Sequence, residues 1–321
     1  MDRSRIAIAR AAHHGVDRPE YLMRRWVVTV TVVIVLFAAT AAWQALGHAD
    51  KDATPRPTRS QVTAPPRSPG PQPAGRSLRG VIRPSGSPEF KAAFTGEQLN
   101  TNIWGTCYPW ESQKGCTNFG NARSEAEWYL PSQDRVSGGL LHLVAQKMST
   151  RGRAADGRTK VYSCRSGMIT SDPGFRFEYG YVRIRAYVPS GAGLWSALWL
   201  AAANLKWPPE IDILEAWGGP NPNAGAFLHY STATGRGRTR ALISPASQAF
   251  GWHTFELSWT RNQLTWLMDG RVILETHSDI PHQRMYLIAN LAESTSRAEP
   301  AVKPGECNGS LLIKSIEVWK A

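Results

Sequence analysis

The 321 residues include only four cysteines and eight histidines. No Cys-x-x-Cys pair or clustered His-Cys spacing occurs among them, which excludes a zinc site of the usual kind. Helix-turn-helix, zinc-ligand and aromatic RNA-binding signatures are also missing, so the net charge of +12 does not mark a nucleic-acid partner. Helical periodicity is absent from every long stretch outside one N-terminal run. Charge is unevenly placed as well: residues 1–89 hold 13 Lys and Arg against 6 Asp and Glu, a net +7, leaving +5 for the other 232 residues.

The single long apolar run, Val27 to Gly47, is uncharged and follows Arg24-Arg25. Its 21 residues suffice to cross a bilayer core, and the basic flank holds the N-terminus in the cytoplasm. A cleaved secretory signal ending near Gly47-His48-Ala49 is the rival reading. The paired arginines lack the remaining residues of a twin-arginine signal. Either way the rest of the chain is exported, onto the cell membrane as a single-pass protein or into the medium. Residues 50–89 contain nine prolines and almost no large apolar side chains, too little to bury for folding. The expected organisation is therefore a basic cytoplasmic N-terminus over 1–24, a membrane segment over 25–47, a disordered Pro-rich linker over 48–89 and a folded domain over 90–321.

Within that domain short β-rich runs alternate with Gly, Pro, Asn and Asp. Examples are 139–145, 179–188, 254–259, 264–268 and 311–319, and Asp269-Gly270 supplies the positive φ angles of a type I′ hairpin turn. Many strands without crossover helices predict an all-β fold, an antiparallel two-sheet sandwich. Cys107 and Cys116 are near enough to close a small loop, leaving Cys164 with Cys307, although four cysteines allow three pairings. Export permits such disulfides. Arginines 151, 153, 158, 236, 238 and 240 lie in Gly-containing sequences and read as solvated loop charge, with contact to an anionic glycan or acidic surface as the other reading.

One strand-like run carries three carboxylates: Glu210-Ile-Asp212-Ile-Leu-Glu215. Alternation puts Glu210 and Asp212 on one face and Glu215 on the other. A β-bulge at Ile213-Leu214 would return Glu215 to the first face. Two carboxylates flanking a sugar linkage suffice for glycoside hydrolysis, and like charge from Asp212 would raise the proton affinity of a neighbour. Trp195, Ala197 and Trp199 share one face of the preceding run, and Trp207 and Trp217 bracket the acidic motif. Indole faces stack on the C–H surfaces of sugar rings.

These segments, together with Trp252–Trp259, Trp266–Gly270 and Met285–Leu291, resemble glycoside hydrolase family 16 in content and order. The resemblance covers about residues 90 to 321. It implies a jelly roll whose concave face is a glycan cleft, with Glu210 as nucleophile, Asp212 assisting and Glu215 as acid/base in a retaining mechanism. The extra residue before Glu215 matches the bulged branch, which includes laminarinase-like β-glucanases, agarases and carrageenases. The implied activity is endo-hydrolysis of β-1,3- or β-1,3-1,4-glucan, with a transglycosylase or a non-catalytic glycan-binding module as alternatives. Asn121, Trp128, His229, Trp195, Trp199 and Trp207 become candidate substrate contacts. The family often holds a structural calcium through an Asp in the final strand, but Lys314 stands there, so neither calcium nor any other cofactor is expected. A monomer acting on polysaccharide completes the expectation.

Overall fold

The computed structural model describes residues 78–110, 125–153, 158–232, 235–242, 248–294 and 307–321, apart from 79, 83 and 236. All of them lie in one compact unit, Pro69–Ala321. The expected membrane segment falls outside the described residues. Among those residues no helix is long and apolar enough to cross a membrane.

The chain forms strands β1 (Phe90–Ala93), β2 (Glu127–Tyr129), β3 (Asp134–Ser137), β4 (Leu140–Arg153), β5 (Thr159–Ser166), β6 (Met168–Thr170), β7 (Gly180–Val188) and β8 (Leu194–Ala202). There follow β9 (Glu210–Trp217), β10 (Asn223–Ser231), β11 (Gly237–Leu242), β12 (Gly251–Trp259), β13 (Leu264–Met268), β14 (Arg271–Thr276), β15 (Met285–Glu293) and β16 (Gly309–Trp319). A 3-10 turn, Pro131–Gln133, lies between β2 and β3. The expected all-β class holds.

Two sheets account for the strands. The larger runs β14-β13-β12-β7-β16-β4-β5-β2, with β1 on β16 and β3 on β4; the smaller runs β11-β10-β9-β8-β15-β6. Pairing is antiparallel except for β2 beside β5. Alternation on β4 turns Leu141 and Leu143 inward while their neighbours stay partly exposed. These meet Val182, Leu257 and Val318 of the same sheet and Leu198, Ile211 and Leu287 of the other in one core. Each such side chain contributes about 1.5–3 kcal/mol on full burial. Strand β15 is buried along its whole length, because one side faces this core and the other is covered as well. The Asp269-Gly270 turn has φ of 50° and 74° and pairs Met268 with Arg271, as its sequence predicts.

Two expectations need correction. Composition extends the linker to residue 89, yet Val81 and Ile82 pack against the cluster of Tyr181, Leu267 and Trp319. The Ile82 amide donates to Ser258 Oγ at 2.9 Å, and Trp319 Nε1 donates to the Gly86 carbonyl at 3.2 Å. A Val-Ile pair amid prolines is enough to hold this stretch on the sheet. Arg151 and Arg153, read as loop charge, lie instead on β4, and Arg238 and Arg240 lie on β11.

Candidate active site

The bulge forms where the spacing requires it. Against β8, Leu198 pairs with Leu214 and Trp199 with Asp212, so Ile213 is passed over. Against β10 the register jumps from Gly225–Glu215 to Phe227–Asp212. Ile213 and Leu214 both join the inter-sheet core, which two successive residues can do only when one is extra. Glu210, Asp212 and Glu215 consequently line one cleft of about 500 Å³. From the opposite sheet, Trp266 Nε1 donates to the Asp212 backbone carbonyl at 2.9 Å and fixes the bulged segment in place.

Each outer carboxylate receives an indole N–H. Trp207 Nε1 donates to Glu210 Oε2 at 3.1 Å, and Trp195 Nε1 donates to Glu215 Oε1 at 3.1 Å. His229, opposite Glu210 on β10, places Nε2 at 3.2 Å from both Glu210 Oε1 and Asp212 Oδ2. Burial raises Glu210 well above the usual carboxylate range and Asp212 adds to the rise, while His229 and the Trp207 bond oppose it. Burial likewise lifts Asp212. Glu215 is pushed up to about 8, by burial first and then by the Asp212 charge, against His229 and the Trp195 bond. Burial thus disfavours three negative charges at once, and His229 and Trp207 are the neighbours that ease ionisation of Glu210. Glu215 keeps its proton near neutrality. An ionised carboxylate beside a protonated one is the pair that nucleophilic attack with proton donation requires.

Aromatic rings wall the cleft. Trp195, Ala197 and Trp199 line it from β8, as their shared face predicts, together with Trp207, Trp217 and Phe227. Trp195 stacks on Trp217 at 5.4 Å. Trp207 is 59% exposed, leaving a free indole face at the rim. The floor is tied by Trp199 Nε1 donating to Asn290 Oδ1 at 2.8 Å and by Asn290 Nδ2 donating to the Tyr129 hydroxyl at 3.0 Å.

Two further lining residues come from outside the catalytic sheet. Tyr108 reaches the cleft from the segment between β1 and β2 and packs against Tyr129 and Trp199. Glu125 bridges to Ser294 just before β2. Nothing in the spacing of Tyr108 links it to the acidic strand. Glu125 lies three residues before Trp128, and the expectation that Trp128 touches substrate needs correction. Trp128 is not among the cleft-lining residues. It is buried against Tyr162 at 5.0 Å and covers Gly152. Alternation gives its side of the strand, but not which surface that side meets. Asn121 lies outside the described residues.

Cys164 and Cys307 form a disulfide across 143 residues. Cys107 is also disulfide-bonded, and Cys116 lies outside the described residues. Glu210, Asp212 and His229 bring one potential ligand atom each within 4.8 Å of one another, a set a divalent cation could bridge. Lys314, at the position where the resemblance places a calcium-binding Asp, is exposed at a register shift of β16.

A two-sheet sandwich that lays three carboxylates along one bulged strand, beneath tryptophan walls, has the architecture of a glycoside hydrolase. The glycosyl hydrolases family 16 pattern matches residues 126–305, and the chain belongs to that family. Among its relatives are two proteins of Rhizobium meliloti (strain 1021). The endo-1,3-1,4-beta-glycanase EglC is 32% identical over 63% of this chain and 45% of its own length. The endo-1,3-1,4-beta-glycanase ExsH is 31% identical over 70% and 49%. The chain thus spans about half the length of these curated relatives. The laminarinase catalytic domain from Thermotoga maritima MSB8 superposes with a TM-score of 0.56 at 25% identity, covering 73% of this chain and 98% of that one.

Proposed function

We propose that this chain is a retaining endo-glycosidase that hydrolyses β-1,3- or mixed-linkage β-1,3-1,4-glucan. The observation that carries the reading is the pairing of Glu210 and Glu215 on one face of β9, each oriented by an indole N–H. Glu210 attacks the anomeric carbon while Glu215 gives its proton to the departing glycosidic oxygen. Water then enters, loses a proton to Glu215 and displaces Glu210, restoring both groups. His229 favours the ionised form of Glu210, and Asp212 helps keep the proton on Glu215. Trp195, Trp199 and Trp207 offer the stacking surfaces for sugar rings, and the two Rhizobium relatives, each named an endo-1,3-1,4-beta-glycanase, make a β-1,3-1,4-linked polymer such as mixed-linkage glucan the first substrate to try.

A reducing-sugar assay of the full chain against glucans, galactans and sulfated galactans tests this. Glucan hydrolysis that disappears in Glu210→Gln is expected; undiminished hydrolysis in that variant overturns the assignment. The chemistry needs no metal, so dialysis against EDTA should leave the rate unchanged, and loss of rate with recovery on added calcium would count against it.

The same reading places the catalytic domain outside the cell, held by residues 25–47 and acting as a monomer. The uncharged run behind Arg24-Arg25 supports the anchor, and the Cys164–Cys307 bridge suits an oxidising compartment. Carbonate extraction of membranes should retain the protein. Its release at a mass reduced by the N-terminal segment would favour the cleaved signal.

A further inference from the structure

Residues 146–166 carry Lys147, Arg151, Arg153, Arg158, Lys160 and Arg165 against Asp156 alone, a net +5. Residues 90–321 as a whole hold 24 Lys and Arg and 19 Asp and Glu, also a net +5. The remainder of the domain is therefore neutral, and its whole charge excess sits in one element. That element is an arm. β16 accompanies β4 only as far as Ala145, beyond which β4 pairs with β5 through Arg153 and Thr159.

The two faces of the arm differ. One packs under Trp128, which covers Gly152, with the Lys160 ammonium 4.7 Å above the Tyr162 ring. The other presents Arg151 beside Val161 and Arg153 beside Thr159, all exposed, with Lys147 exposed further back on β4. Among the described residues no carboxylate pairs with Lys147, Arg151, Lys160 or Arg165. Clustered like charges repel and weaken the strands that hold them. The arm also adjoins the cleft: β5 pairs with β2, and Glu125, just before β2, is a cleft wall residue.

We propose that the exposed face of this arm binds the anionic groups of an acidic polysaccharide whose neutral backbone occupies the cleft. This rests on the cleft being the glycan site. Arg151 and Arg153 stand about 7 Å apart and the run from Lys147 to Arg153 extends about 20 Å, a ladder suited to repeated charges on an extended polymer. The carboxylate-lined cleft repels anions, so cutting happens at uncharged sugars while the charged ones are held beside it.

The test uses full-length Glu210→Gln, which does not turn over, and two probes with one backbone: mixed-linkage β-glucan and its carboxymethylated derivative. Binding is read by affinity electrophoresis at low and high salt. At low salt the carboxymethylated glucan should bind about tenfold more tightly than the neutral one, and that gain should vanish at 0.5 M salt or on adding Arg151→Gln and Arg153→Gln. The same two substitutions in the otherwise unaltered enzyme should leave hydrolysis of neutral glucan unchanged, which also reports that the arm variant folds. Equal affinity for both probes, or a gain that survives the substitutions, overturns the proposal. So does tight, arginine-dependent binding to anionic phospholipid vesicles without any preference for the charged glucan. Failure of the unaltered enzyme to hydrolyse any glucan would instead sink the reading of the cleft.

Discussion

Asp212 is where residue-level electrostatics is most exposed to test. Glu215 must be protonated to act, so the rate should fall as pH rises through about 8. Asp212→Asn removes the negative charge that helps hold Glu215 up, and the alkaline limb of kcat/KM should move downward by about one pH unit. His229 acts in the opposite sense on Glu210, whose affinity for a proton it reduces. His229→Gln should therefore shift the acid limb upward, since Glu210 must lose its proton to attack. An alkaline limb unmoved in Asp212→Asn, or an acid limb unmoved in His229→Gln, would show that these neighbours do not act on the two glutamates as described. The three carboxylates could be read from sequence because charge in an apolar strand run is costly without a purpose. Tyr108 was not legible. It reaches the cleft through the path of a connecting segment, which no periodicity encodes.

At the scale of the element, the bulge at Ile213-Leu214 brings Glu215 onto the cleft face. Deleting Ile213 removes the extra residue and leaves Glu-Ile-Asp-Leu-Glu, whose strict alternation keeps Glu215 on the cleft face without a bulge. The expected result is retained hydrolysis with a stability drop of about 2–5 kcal/mol from the lost Ile213 core side chain; urea unfolding and the reducing-sugar assay check both, and complete loss of hydrolysis in a folded variant would contradict this account of the spacing. The bulge was predictable because three like residues needed one face and the spacing allowed only one remedy. Trp128, expected at the substrate, stands on β2 against Tyr162 instead. A two-sheet fold offers several surfaces to a strand side, and sequence alternation does not choose among them. The packed stretch around Val81 and Ile82 escaped notice for a related reason: two apolar residues barely alter composition, yet they suffice to anchor a segment on a sheet that is already there.

Across the whole molecule, the catalytic sheet is braced by buried groups with no part in the chemistry. Glu127 is fully buried, accepts the Glu293 amide at 2.7 Å on Oε2 and leaves Oε1 without a hydrogen bond. Burial pushes it up to about 7. Because the folded value exceeds the ordinary 4.5, its contribution is fully present below pH 4.5 and is lost as pH rises through 7. Between those limits the loss is on the order of 3 kcal/mol. Glu127→Gln should flatten that part of the thermal stability profile between pH 5 and 7.5; a parallel profile would contradict the burial argument. The Cys164–Cys307 bridge closes a loop of 143 residues, and replacing both cysteines with serine should cost roughly 2–5 kcal/mol in urea unfolding. The all-β class was plain in the sequence, since alternation and turn residues recur throughout; which strands neighbour one another depends on long-range packing and was not.

The central claim, that Glu210 attacks and Glu215 transfers the proton, is tested most directly by the anomeric form of the glycosyl azide made when azide rescues each alanine variant on an aryl β-glucan oligosaccharide. Glu215→Ala should yield the β-azide, because the intermediate on Glu210 still forms and is opened from the opposite face. Glu210→Ala should yield the α-azide by single inversion. The reverse assignment, or the same anomer from both variants, would contradict the account.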